Sequence, residues 1–261
     1  MNQSKIICFF FSLLFTINVQ AEFLSWKEIE KNFKNKDLNT KALGHVQCFF
    51  QKHEHSVFQK KISYLDGNDN RCAGSADISL DSKRFFALID YTAPSNKKRM
   101  FLVDRQSGSI TSMAVAHGRY NAGMFNLKLS KNKNSIKHAR YFSNEFNSNA
   151  PSSGFFVSGV EYEGKFGRSM VLHGLESGVN DNACQRAVVI HKHLMVTKNN
   201  AYVLSSGCPM VSRKNINNVV NLLKGEKNPD SGEETHGGVV FIYGQRELNW
   251  QPSTCEGNFT L

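Results

Sequence analysis

A cysteine and a histidine 17 residues apart (208 − 191) carry the chemistry that matters most in this 261-residue chain. Cys208 sits in Ser205-Ser206-Gly207-Cys208-Pro209, and His191 ends the apolar run Ala187-Val188-Val189-Ile190. A cysteine nucleophile needs an exposed turn, backbone N–H groups beside it and an imidazole within hydrogen-bond reach. A buried strand that delivers the histidine, followed by a hairpin-like return ending in Ser-Gly-Cys, supplies that geometry. By themselves the two residues read equally as a strand histidine and an inert buried cysteine, because such pairs become catalytic only in space.

The elements around the pair are short strands. Phe85-Phe86-Ala87-Leu88-Ile89, the run from Arg99 to Asp104, Ile110 to Ala116 and Val239 to Gly244 are apolar segments bounded by turn residues, which predicts an antiparallel sheet or barrel. One helix is expected over Ser212 to Lys224, capped by Ser212 and ended by Gly225. Another starts at Ser25, with Glu28 three residues on. Residues 126–149, rich in Asn, Lys and Ser, read as a mobile loop, and Asp66-Gly67-Asn68-Asp69-Asn70 as a plain turn.

The N-terminus places the chain in a compartment. Lys5, an apolar block from Ile6 to Phe15 and Val19-Gln20-Ala21 form the pattern of a secretory signal peptide, too short to span a bilayer. The expected organisation is a signal peptide over 1–21, a small cysteine-bearing region over 22–82 and a catalytic domain over 83–261. The mature protein is expected to be periplasmic or wall-associated, with no stable membrane span. Five of the six cysteines then remain. An odd number in an oxidising compartment leaves one thiol over. Pairing Cys48 with Cys72 and Cys184 with Cys255 leaves Cys208 free, and the thiol is expected to alkylate readily near neutral pH. The net charge is +10, or +9 without Lys5, with a pI near 9.3. That balance favours anionic partners such as wall polymers. No basic helix or basic–aromatic motif points to nucleic acid.

Several blocks together resemble the L,D-transpeptidase catalytic domain, the YkuD-like fold. They are Asp90-Tyr91-Thr92-Ala93-Pro94-Ser95 with Lys98 to Asp104, Val115-Ala116-His117-Gly118-Arg119, Phe142-Ser143-Asn144 and Ser152-Ser153-Gly154-Phe155-Phe156. Leu172-His173-Gly174-Leu175-Glu176, Asn180 to Ala183, Arg186 to His191 and Ser205 to Pro209 complete the set.

The resemblance implies a mostly β catalytic domain of sandwich or barrel form with a few helices. It implies a Cys208 nucleophile, a His191 base steered by a backbone carbonyl near Lys192 or Ser206, and an oxyanion held by N–H groups around Gly207 and Cys208. It implies peptidoglycan stem peptides as substrate, a thioester resolved by an acceptor amine or by water, acylation by carbapenems, and no metal or organic cofactor. His173, Arg186, Ser205, Ser206 and Lys192 are the expected substrate-side residues. Arg186 reads either as a carboxylate anchor or as the partner of Asp181 or Glu176. His117 and Arg119 read as cleft residues or a strand end. Two positions depart from the commonest pattern: Ser206 stands where many members have His, and Lys192 where Gly or Ser is frequent.

Overall fold

The computed structural model describes residues 22–62, 72 and 74–250. The signal-peptide segment, the Asp66 to Asn70 turn and Cys255 lie outside the described residues.

Helix α1 (Trp26–Lys34) opens as its sequence predicts. Ser25 Oγ accepts from Glu28 N–H at 3.3 Å, and Ser25 N–H donates back to the Glu28 carboxylate at 2.9 Å, closing a capping box. Helix α2 (Thr40–His53) follows, capped by Asn39. Their inward faces put Phe33, Leu43, Val46 and Phe49 into one core with Phe86, Phe155 and Phe241. Phe155 stacks between two of these rings, with centroids 4.7 Å from Phe49 and 4.3 Å from Phe241. Such ring pairs add about 0.5–1.5 kcal/mol each beyond their buried area.

The centre is a barrel-like sheet of eight strands, mostly antiparallel. Its elements are β3 (Phe85–Asp90), β4 (Met100–Asp104), β5 (Ile110–Met113), β7 (Gly154–Gly164), β8 (Gly167–Gly174), β9 (Val189–Lys192), β11 (Met210–Val211) and β12 (Val239–Tyr243). The spatial order is β11-β9-β8-β7-β12-β3-β4-β5. Two further pairs stand apart: β1 (Val57–Ile62) with β2 (Gly74–Ser79), and β6 (His117–Gly118) with β10 (Leu204–Ser205). Strands β4 and β12 are buried along their whole length because both sheet faces are covered. Helices α1 and α2 cover one face. On the other, α3 (Ile216–Leu223) seats Ile216, Val219, Val220 and Leu223 on Ala87, Ile89, Leu102 and Val240. A short α4 (Gln245–Leu248) closes the described chain.

Four expectations change. Helix α3 begins at Ile216, not after a Ser212 cap. The Ser212 carbonyl instead accepts N–H bonds from Asn215 and Ile216 in a turn, and the Asn215 side chain makes no capping bond. The helix stops before Gly225 because Lys224 turns extended, which lets Gly225 N–H reach Gly159 O at 3.0 Å. The segment between His191 and Cys208 is no hairpin: β11 returns parallel to β9, and β10 pairs parallel with β6. The cysteine pairing also differs. Cys72 bonds Cys184, with Cα atoms 5.9 Å apart, and Cys48 is bonded elsewhere. The β1–β2 ribbon leans on the end of β8, where Lys60 Nζ donates to Leu175 O at 3.0 Å, so Cys72 meets the loop after β8 rather than the core-facing side of α2. Residues 126–149 do hold no strand or helix, but Asn134 staples them. Its amide donates to Gly118 O and Tyr141 O, and its oxygen accepts from Arg140 and Tyr141 N–H.

The sheet nearly closes where Ala116 bridges Met210. The two residues exchange N–H···O bonds of 2.8 and 3.3 Å. A buried guanidinium supports this seam. Arg99 donates through Nε and Nη2 to Val115 O, through Nη1 to Ala93 O, and through Nη2 to His117 Nδ1 at 2.7 Å. His117 therefore carries its proton on Nε2 and donates to Ser135 O at 3.0 Å. Burial holds this histidine neutral and lowers the Arg99 pKa to about 10. His117 is thus a wholly buried seam residue rather than a cleft residue. Tyr91 completes the network by donating to Ala116 O at 3.1 Å.

Truncating Arg99 to Ala leaves two carbonyls and an imidazole nitrogen without partners, plus a cavity. Arg99→Ala should destabilise the fold by roughly 3 kcal/mol or more. Urea unfolding measures it; a midpoint equal to wild type would refute the network's role.

Candidate functional site

The seam is where Cys208 sits. Strand β11 begins two residues after it, with Met210 opposite His191 in parallel register, and His191 N–H donates to Pro209 O at 3.3 Å. On the other side of β9, His191 pairs with Ser169 of β8. The histidine backbone is thus clamped between two strands, and Cys208 is one residue away from the clamp.

The cysteine turn has its own staple. Ser205 Oγ accepts Gly207 N–H at 3.0 Å and donates to Cys208 O at 2.7 Å. Gly207 has φ 128°, a region that only glycine enters freely, and a Cβ there would lie 3.0 Å from Ala150 O. Ser205 is therefore engaged in the turn, and Gly207 N–H is occupied. Cys208 N–H has no hydrogen bond among the described residues, which leaves it as the N–H open to an oxyanion. Ser206 is exposed at the mouth.

Cys208 is the free cysteine among the described residues. The residue as a whole is half-buried, and its thiol donates to Ala187 O at 3.4 Å. Burial pushes the thiol above its ordinary pKa; the Val189 backbone and the Arg186 charge pull it back only in part. The resting form at neutral pH is therefore thiol rather than thiolate. His191 Nδ1 lies 3.0 Å from Lys192 O, and because a carbonyl only accepts, Nδ1 carries the proton. That leaves the Nε2 lone pair available as a base. Burial lowers the His191 pKa, only partly offset by the Lys192 carbonyl, so the ring is neutral at pH 7. Among the described residues no hydrogen bond joins Cys208 to His191, a looseness common in unliganded sites.

Arg186 touches neither Asp181 nor Glu176. It donates to Ser143 O and Ser152 Oγ at 2.5 Å and to Ala150 O at 2.6 Å, pinning the long loop beside Gly207. Asp181 instead accepts from Asn144 Nδ2 and Gly178 N–H. Glu176 accepts from Phe155 N–H, and burial raises its pKa to about 8. His173 is buried edge-on to His236, with centroids 5.5 Å apart, and packs against Gly159, so the structure groups it with β7 and not with Cys208. Arg119 donates to Asn149 Oδ1 at 3.0 Å. The Lys192 stem lies across Gly167 at the foot of the β7–β8 turn.

That turn carries a residue that sequence reasoning missed. Phe166 stacks on His191 with centroids 4.4 Å apart and planes 17° apart, while remaining 47% exposed. A large apolar side chain on a two-residue turn between glycines is the signal that marks it. Ala187, at φ 51°, is the second such residue, since its carbonyl receives the thiol.

A family model described as the L,D-transpeptidase catalytic domain matches residues 51–228, well over half the chain. The chain belongs to the L,D-transpeptidase catalytic domain family. No curated protein matches it. Among solved structures it is similar to the helical cell shape determining protein Pgp2 from Campylobacter jejuni, at 9% identity and TM-score 0.37, over 82% of this chain and 58% of that one. A mutant of the same protein matches at 10% identity and TM-score 0.36, over 82% and 59%. The chain thus spans under two thirds of the length of those proteins.

Two measurements follow from the electrostatics. Removing the ring in Phe166→Ala rehydrates His191, so its pKa should move up toward the ordinary imidazole value; an NMR titration that leaves it unmoved would remove Phe166 from the site. Alkylation of Cys208 by iodoacetamide should keep accelerating as pH rises past 8, because the thiolate appears only above the ordinary thiol pKa. A rate already level at pH 6–7 would show a preformed thiolate instead.

Proposed function

We propose that this protein is a cysteine-dependent L,D-transpeptidase that acts on peptidoglycan tetrapeptide stems outside the cytoplasm, delivered there by the signal peptide of residues 1–21. The observation that carries the reading is a free Cys208 one residue from the strand clamp on His191, with the imidazole proton held by Lys192 O, in a chain of this family.

His191 Nε2 takes the proton of Cys208 as Sγ attacks the carbonyl of the meso-diaminopimelate L-centre. The Cys208 N–H meets the oxyanion. His191 then returns the proton to the departing amine of D-alanine, leaving a thioester on Cys208. An acceptor amine attacks that thioester, gives up its proton to His191 and forms the new amide, restoring the thiol. Because the resting pair is neutral, the base function carries the reaction, and the loss of one partner removes most of what both contribute. The basic mature chain suits an anionic wall, and among the described residues no helix is long and apolar enough to cross a membrane.

The test is incubation with disaccharide-tetrapeptide followed by mass spectrometry. Wild type should lose D-alanine and yield cross-linked dimer, and a carbapenem should add its mass to wild type but not to Cys208→Ala. Cys208→Ala and His191→Ala should each lower turnover by at least about 10³-fold without additivity. Unchanged muropeptide with wild type, or turnover by Cys208→Ala, would overturn the reading. The rate should fall as pH drops through the lowered His191 pKa, because the base must be neutral. That midpoint lies below the ordinary imidazole value, and an acid limb centred above 7 would contradict the assignment.

A further inference from the structure

The two segments that leave the site build a second cavity. The chain after His191 contributes Leu194 and Lys198, and the chain after Cys208 contributes Ser212, Arg213, Lys214 and Asn215, around a space of about 570 Å³. Three of the lining residues are cations and none is acidic. Lys198, Arg213 and Lys214 are exposed and take no ion pair among the described residues. The cavity also faces the start of α3, whose Asn215 leaves the first turn without a side-chain cap and which has no acidic residue there. The unpaired N–H groups of a helix start attract anions.

Charge and a helix end alone would describe a solvated surface. Ser212 sets this cavity apart. It is only 6% exposed, lines the cavity, and its hydroxyl has no hydrogen-bond partner among the described residues. Ser212 Oγ is not among the polar atoms closed off from solvent, so the hydroxyl opens into the cavity and offers a free donor to whatever enters it. A donor hydroxyl, a guanidinium, two ammonium groups and helix N–H groups converging on one space match an oxyanion with several acceptor lone pairs.

We propose that this cavity is an oxyanion-binding subsite, for a carboxylate or phosphate group, working beside Cys208. Ser212 is four positions along the chain from Cys208, so the two lie within about 14 Å. A ligand held in the cavity therefore presents neighbouring groups to the thiol. The oxyanion chemistry stands on the cavity alone. Its source in the cell wall, either a free carboxylate of a peptidoglycan stem or a phosphate of an anionic wall polymer, rests on the proposed function.

The probe is inorganic phosphate, titrated at constant ionic strength into full-length mature protein and followed by amide NMR. Saturable shifts over residues 212–217 are expected, alike in wild type and Cys208→Ala. The double variant Arg213→Gln, Lys214→Gln changes exposed side chains and should keep the fold while weakening phosphate on the order of tenfold. No saturable shift, or equal affinity in the double variant, overturns the site. Competition on Cys208→Ala then identifies the source. Displacement by disaccharide-tetrapeptide assigns the stem carboxylate, displacement by a glycerol phosphate oligomer alone assigns the phosphate polymer, and displacement by neither overturns the assignment to the wall. Phosphate binding without muropeptide turnover by wild type would keep this subsite and remove the proposed activity; turnover without phosphate binding would do the reverse.

Discussion

Everything at the candidate site depends on a pairing only two residues long. Met210 and Val211 lie parallel to His191 and Lys192, and Met210 is bridged from its other side by Ala116. So short a strand gains little from its own ladder, so its position is dictated by what packs around it. Val211 goes into the core beneath the sheet with Ile190 and Val219, while Met210 enters a small cluster with Ala114, Ala116 and Val203. Because successive side chains alternate faces, a slip of one residue would exchange those two environments and move Cys208 out of reach of the histidine strand. The register of the site is thereby fixed by hydrophobic burial rather than by any bond between the reacting groups.

The same seam explains an expensive choice nearby. A wholly buried arginine with no carboxylate in salt-bridge contact carries a large desolvation cost. Arg99 offsets it with the backbone carbonyls of Ala93 and Val115 and with His117, whose proton must then sit on Nε2. One side chain thus holds Ala93, Val115 and His117 at a fixed distance. Arg186 plays the matching role across the turn, tying Ser143, Ala150 and Ser152 together. Its charge reaches Cys208, but its donors are committed to backbone and hydroxyl oxygens. These bonds hold the guanidinium against the loop, in place of the Asp181 or Glu176 pairing that its position in sequence suggests.

Legibility followed the range of the forces involved. Strands such as Phe85–Asp90 and Val239–Tyr243, and the Ser25 capping box, are local patterns and were readable. The mostly β, barrel-like class followed from them. The Lys192 carbonyl on His191 was readable only through family resemblance, because spacing alone does not orient a ring. What the sequence hid is tertiary. The Cys72–Cys184 bond depends on where the β1–β2 ribbon lands, and the late start of α3 depends on a turn that consumes the Ser212 carbonyl. The stacking of Phe166 on His191 joins the β7–β8 turn to β9, and a lone phenylalanine on a turn does not name its neighbour.

The electrostatics and the packing of the site have one cause. Phe166 and the surrounding strands remove water from His191, which lowers its pKa, and the buried turn raises that of Cys208. Each shift favours the neutral form, so the pair rests as thiol and imidazole, with the S–H donating to Ala187 O. A neutral pair is weakly nucleophilic until the proton moves. Moving it creates opposite charges on adjacent groups, and these stabilise one another more strongly in a site of low dielectric than in water. The arrangement therefore ties thiolate formation to whatever draws Cys208 away from Ala187 and toward His191. A thiol that ionises only when the site is occupied is protected from adventitious oxidation, which requires the thiolate.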